Sequence, residues 1–206
     1  DSNEVPVTPP TPDEPEIKKD VNGKESETLD KRDQVFTYNV KTSVAQDATA
    51  FSVTDKIEDV LEFAGKSSAT LNGQALEASQ IKVEGQTITL TLTEDQVKAN
   101  GGQAVELTFD AKIKAGANLS AYVKEDGRTQ IPNKASYDAS FPHKPGVHKD
   151  SNEVPVTPPT PDEPEIKKDV NGKAEETLAK RDEVFTYNVK TSVAQDATAF
   201  SVTDKI

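Results

Sequence analysis

Apolar residues recur at every second position through most of this chain. In "VFTYNVKT", Phe36, Tyr38 and Val40 share one face while Thr37, Asn39 and Lys41 share the other. "TITLTLT" alternates Ile88, Leu90 and Leu92 with threonines. "VELTFDAKIK" sets Val105, Leu107, Phe109, Ala111 and Ile113 against Glu106, Thr108, Asp110 and Lys112. A period of two is that of a β-strand with one buried face. Turn formers separate the runs, at Asn22-Gly23, Asn72-Gly73, Asn100-Gly101-Gly102 and Asp126-Gly127. Two stretches depart from the alternation. "TEDQVKAN", 93–100, predicts one or two helical turns with Thr93 as N-cap, and "NLSAYVKED", 118–126, predicts another short helix. So many strands and tight turns within roughly 125 residues predict an all-β fold, an immunoglobulin-like antiparallel β-sandwich with one or two short helices.

The pattern also repeats on a longer scale. Asp1–Ile57 returns as Asp150–Ile206, altered only at Glu25/Ala174, Ser26/Glu175, Asp30/Ala179 and Gln34/Glu183. Near-identity over such a span predicts tandem whole modules rather than a solenoid of small units. Each copy opens with "DSNEVPVTPPTPDEPE", which reads as a semi-rigid polyproline II spacer. Pro9 to Pro12 match a PxxP ligand, but the flanks are acidic and carry no Arg, which argues against an SH3-type partner. "FPHKPGVHKD", 141–150, marks a second boundary. The expected organisation is a Pro-rich linker over 1–15, a complete module over 16–141, a second linker over 142–164 and the truncated start of the next repeat over 165–206. A chain that begins and stops inside repeating sequence is expected to be a fragment, without signal peptide or wall-sorting motif of its own.

Three polar residues stand where the alternation calls for apolar ones. In "EIKKDV", Lys19 shares a face with Ile17 and Val21. In "AFSVTDKI", Asp55 shares one with Phe51, Val53 and Ile57. In "QIPNKASYDASF", Asn133 shares one with Ile131, Ala135, Tyr137, Ala139 and Phe141. Thus the first, a central and the last predicted strand each offer one polar side chain to the core. Taken singly, each has a plainer reading: a lysine whose stem covers apolar surface, a capping acid before a short helix, an asparagine in a bend after Pro132. Lys18 competes with Lys19, but strand parity favours Lys19.

Burial of a lone ammonium or carboxylate costs several kcal/mol and drives both groups toward their neutral forms. A neutral lysine amine is a nucleophile. A protonated Asp can polarise the Asn carboxamide and carry a proton to departing ammonia. These are the requirements of a Lys–Asn isopeptide bond, with folding supplying the proximity.

Composition removes several rival chemistries. There is no Cys, hence no disulfide, thiolate nucleophile or Cys-ligated metal. The net charge of −12, from 36 acidic against 24 basic residues, argues against nucleic acid and anionic membrane surfaces as partners. No apolar run is long enough to span a bilayer as a helix. A glycosidase-like pairing of Asp55 with Glu58, Asp59 or Glu62 lacks any Trp to stack a sugar. His143 and His148 have no further ligands at defined spacing, and no acidic loop follows a helix–loop–helix calcium pattern, so neither metal nor cofactor is expected.

The order of "IKKDVNG", "VFTYNVKTSV" leading to "FSVTDKI", and "IPNKASYD" resembles the isopeptide-forming domains of Gram-positive pilins and fibrillar adhesins. The "VTPPTP" linkers and tandem copies are similar to the stalks of streptococcal-type, wall-anchored surface adhesins. The resemblance covers essentially the whole module. It implies an Ig-like sandwich, an extracellular cell-wall location and a reactive triad carried by Lys19, Asn133 and Asp55, performing one self-directed condensation rather than enzymatic turnover. Expected partners are a host extracellular protein or glycan, reached through the parent adhesin, and further copies of the module. The alternative is a module that itself grips a host protein or glycan, with no covalent cross-link. The second copy carries Lys168 and Asp204, while its Asn would fall beyond Ile206. That copy is expected either to be poorly ordered alone or to complete itself by strand exchange.

Overall fold

A computed structural model describes residues 5–7, 14–160, 163–194, 197 and 199–206. The PxxP match at Pro9–Pro12 and most of the first expected linker lie outside the described residues. Two units are distinguished: Asp1–Ala117 with Tyr122–Pro159, and Asn118–Ala121 with Thr160–Ile206.

In the first unit the alternating runs become strands. β1 spans Lys18–Val21, β2 Glu27–Thr28, β3 Phe36–Ser43, β4 Ala50–Lys56, β5 Leu61–Leu71 and β6 Gln74–Ala75. β7 spans Ile81–Glu84, β8 Thr87–Thr91, β9 Ala104–Ile113, β10 Ala135–Ser140, β11 Val147–Asp150 and β12 Val156–Thr157. Two antiparallel five-stranded sheets result, ordered β1-β3-β9-β5-β6 and β11-β10-β4-β8-β7. Their inward positions form the core, with Phe36, Tyr38, Phe51, Phe109 and Tyr137 fully buried. The fold is the expected β-sandwich. Asn22 and Gly23 both take left-handed backbone, φ 51° and 76°, the pairing a tight two-residue turn needs after β1. α1 spans Glu94–Ala99, with the Thr93 hydroxyl accepting from the Gln96 amide and the Gln96 side chain accepting from the Thr93 N–H. Residues 118–126 yield only a 3-10 turn, Ser120–Tyr122, where a helix was expected. The Asn118 side chain accepts from the Ser120 N–H, a local bond that competes with helix propagation.

β5 escaped the sequence reading because its apolar face is interrupted. The β5–β9 register shifts between Phe63 and Ser67, and Gly65 at φ 93° supplies the bulge. The larger difference concerns the segment expected to be a linker, 142–164. β11 pairs with β10, and β12 runs parallel to β2. Val154 and Val156 are fully buried. Ile131 and Val156 exchange backbone hydrogen bonds of 2.8 and 2.9 Å, and the Leu29 N–H donates to the Thr157 carbonyl at 2.8 Å. Consequently β10 is not the last strand. The prolines around this stretch read as breakers, yet Val154 and Val156 flank Pro155 with the same two-residue period seen elsewhere.

On β11, His148 faces Asp138 of β10 across the strand pair, with Nδ1 2.8 Å from one Asp138 oxygen and Nε2 3.4 Å from Asp150. The hydrogen bond to Asp138 raises the imidazole pKa against desolvation, and the charges of Asp138 and Asp150 add to the rise. A raised folded-state value means the contribution is fully present below the ordinary imidazole pKa and fades as pH rises through the folded one. An NMR titration should find the His148 midpoint above that of an unfolded histidine, and Asp138→Asn should bring it down.

The second unit holds one hairpin, β13 (Lys167–Val170) with β14 (Tyr187–Lys190), in which Lys168 opposes Val189 just as Lys19 opposes Val40. Local pairing is reproduced, but Ile166, Phe185, Tyr187 and Phe200 are exposed, whereas their counterparts Ile17, Phe36, Tyr38 and Phe51 are buried. The substitutions between copies are benign. Positions 25, 26 and 30 are exposed, and Gln34 caps the Asp30 N–H at 2.9 Å much as Glu183 caps the Ala179 N–H at 2.8 Å.

Candidate functional site: a buried lysine, aspartate and asparagine

Strand parity turns Lys19 inward between Ile17 and Val21 and leaves Lys18 exposed. Lys19 is 3% exposed, Asp55 0% and Asn133 4%; among the described residues the only other buried polar residue is Ser151. Lys19 lies on an edge strand of one sheet, and Asp55 on the central strand of the other. Its ammonium nitrogen bonds the Asp55 carboxylate directly across the sandwich. The β3–β9 register places Tyr38 opposite Phe109. The Lys19 nitrogen sits 3.9 Å from the Tyr38 ring centroid and 4.9 Å from that of Phe109. These rings wall the amine off from water and supply a negative π face to it. Sequence periodicity marked both as core, not as part of a site.

Asp55 is flanked in its sheet by Ile88 of β8 and Ala135 of β10. Asn133 was expected within the last strand; it lies two residues ahead of β10, held by backbone bonds with Val154 of 3.2 and 2.9 Å. Its parity matches Ala135, so its carboxamide is buried near the acid. The Asn133 carboxamide lies close enough to Asp55 and Tyr38 to favour their ionised forms slightly. Yet neither of its polar atoms completes a hydrogen bond, nor do the second Asp55 oxygen or the Tyr38 hydroxyl.

Four buried polar atoms without partners at one spot is costly, since each loses its bonds to water. Desolvation lowers the Lys19 pKa, opposed by Asp55, and raises that of Asp55, opposed by Lys19. Desolvation likewise pushes the Tyr38 phenol up. Both members of the pair are thus driven toward amine and carboxylic acid, the forms in which Lys19 has a lone pair and Asp55 a proton to give. The other acids considered are engaged elsewhere: Glu58 accepts from the Tyr122 hydroxyl at 2.8 Å, Glu62 pairs with Lys112 at 3.2 Å, and Asp59 is exposed. Among the described residues, no group of three His, Asp or Glu is arranged to hold a metal ion.

In the second unit Lys168 meets Asp204 at 2.8 Å and lies 4.0 Å from the Tyr187 ring centroid. Their side chains are 40% and 32% exposed, against 0% for both Lys19 and Asp55. The pairing of lysine, acid and tyrosine is therefore encoded by this half of the module alone, while desolvation of the pair is not.

No family model matches the chain. It is 67% identical over 205 residues to platelet adherence protein A of Streptococcus gordonii, matching all of this chain but spanning only 6% of that protein's length. The major pilin subunit BcpA of Bacillus cereus aligns with a TM-score of 0.60 at 25% identity, over 75% of this chain and 42% of the pilin. The N-terminal domain of the S. gordonii adhesin Sgo0707 aligns with a TM-score of 0.54 at 18% identity, over 69% of this chain and 32% of the adhesin. The chain is thus similar in sequence to a streptococcal adhesin and shares the β-sandwich fold of Gram-positive adhesin and pilin domains.

Proposed function

We propose that the first unit is a structural stalk module of a Gram-positive surface protein, sealed by an isopeptide bond between Lys19 and Asn133. The observation that carries this reading is the shared burial of Lys19, Asp55 and Asn133 with unpartnered polar atoms left at their meeting point. Proton transfer within the ion pair gives a neutral amine and a neutral acid. The amine attacks the Asn133 carboxamide carbon while Asp55 donates to its oxygen. A C–N bond forms to Lys19, the bond to the Asn133 amide nitrogen breaks, and Asp55 relays the proton that lets ammonia leave. The acid is regenerated and no co-reactant is consumed. The product amide replaces the Asn133 carboxamide, which otherwise lacks partners, and removes the buried charge of Lys19.

Tandem repetition suits a stalk, in which each copy adds length and a sealed copy resists proteases. The location implied is the outer cell wall, and the partners are neighbouring modules and whatever host molecule the parent protein engages. Intact-mass measurement of the purified chain is the decisive test. One missing ammonia is expected, with the cross-linked peptide pair mapping to residues 19 and 133. A full mass would overturn the proposal.

A further inference from the structure

The octet "DSNEVPVT" heads the repeat in sequence, but its copy at 150–157 is built into the module before it. Its contacts fall on both reacting residues. The Asn152 carboxamide faces the open edge of β1, where its oxygen accepts from the Lys19 N–H at 2.9 Å and its NH2 donates to the Lys19 carbonyl at 2.9 Å. One side chain thereby does for Lys19 what a neighbouring strand would do. Two residues on, the Val154 peptide exchanges hydrogen bonds with the Asn133 backbone, N–H to carbonyl at 2.9 Å one way and 3.2 Å the other. Ser151, itself buried, accepts from the Ala135 N–H at 3.0 Å and returns its own N–H to the Ala135 carbonyl at 2.8 Å. Val154 and Val156 anchor the segment in the core.

We infer that residues 151–156 are a positioning element for the condensation and that Asn152 is the positioning residue for Lys19. The inference rests on the cross-link proposed above. Lys19 lies on an edge strand, whose outer side is free to fray or shift register unless something pairs with it. Asn133 precedes its strand rather than lying in it, so the sheet ladder does not fix it. The segment holds both backbones at once, and a displacement of about 1 Å between reacting atoms is enough to slow such a step on the order of a hundredfold. The reaction is therefore licensed only when the chain has been made as far as Val156 and that stretch has docked. The functional module ends at Thr157, inside what reads as the start of the next repeat. In this chain Val5 and Val7, the counterparts of Val154 and Val156, are exposed.

The test uses the full 206-residue chain and follows ammonia loss by intact mass from the moment of refolding. Asn152→Ala should slow the loss by about tenfold to a hundredfold. Val97→Ala, which empties a buried site on α1, an element that carries none of the three residues, serves as the control for general destabilisation. Slow bonding in Asn152→Ala with a parent-like rate in Val97→Ala is the expected result. Equal slowing in both, or a parent-like rate in Asn152→Ala, would overturn the positioning role while leaving the cross-link intact. A parent chain that never loses ammonia would overturn the cross-link and the positioning role together.

Discussion

Asn133→Ala is expected to keep the full mass of the unreacted chain and to be less stable than the parent by about 4–5 kcal/mol, the chain-entropy value for opening a covalent loop of about 115 residues. That is a large share of the 5–15 kcal/mol typical of a domain. The loss should appear as a lower denaturant midpoint and as rapid proteolysis under conditions the parent survives. Alanine leaves no unreacted carboxamide in the core, so the measured drop reports the missing bond rather than a second buried defect. Equal midpoints for parent and variant would show that no covalent loop closes at this position.

Asp55→Ala should have the second large effect, by a separate route. Without the acid no group relays the proton to ammonia, so the mass should again stay whole. The Lys19 amine is then left in the core without its counter-ion, and removing one partner of a buried pair typically costs about 3–5 kcal/mol. Placing Asp55→Ala in the Asn133→Ala background separates the two contributions, because only charge compensation can change there. Asp55→Asn keeps the shape and one acceptor but has no acidic proton, so it should also leave the amine unreacted. Ammonia loss in either Asp55 variant would remove Asp55 from the chemistry.

Much of this molecule was legible in the sequence because burial and strand parity are local. The same alternation that placed Phe36 and Tyr38 inside placed Lys19, Asp55 and Asn133 there too, and Thr93 announced its helix through its cap. The misses share a different cause. β5 hides behind a bulge at Gly65, which breaks the two-residue rhythm that would betray it. The 118–126 stretch has helical spacing but spends a backbone amide on Asn118. β11 and β12 sit among prolines: β11 closes a hairpin on Ala139 across a proline-bearing turn, and β12 becomes structure by pairing with Ile131 and Glu27, which lie far back along the chain. Asn152 is the sharpest case: its role depends on a residue 133 positions away, and nothing within "DSNEVP" distinguishes it from a spacer asparagine.

The placement of Asn133 ahead of β10 has a consequence for how far one module can be drawn out. A cross-link from 19 to 133 encloses β2 through β9, whereas β10, β11 and β12 follow it and stay outside. Pulled from its two ends, the chain would transmit load through the amide and shed only those three strands. About 24 residues of slack, roughly 80 Å when taut, could therefore pay out per module and then rewind, with the sealed remainder acting as a stop.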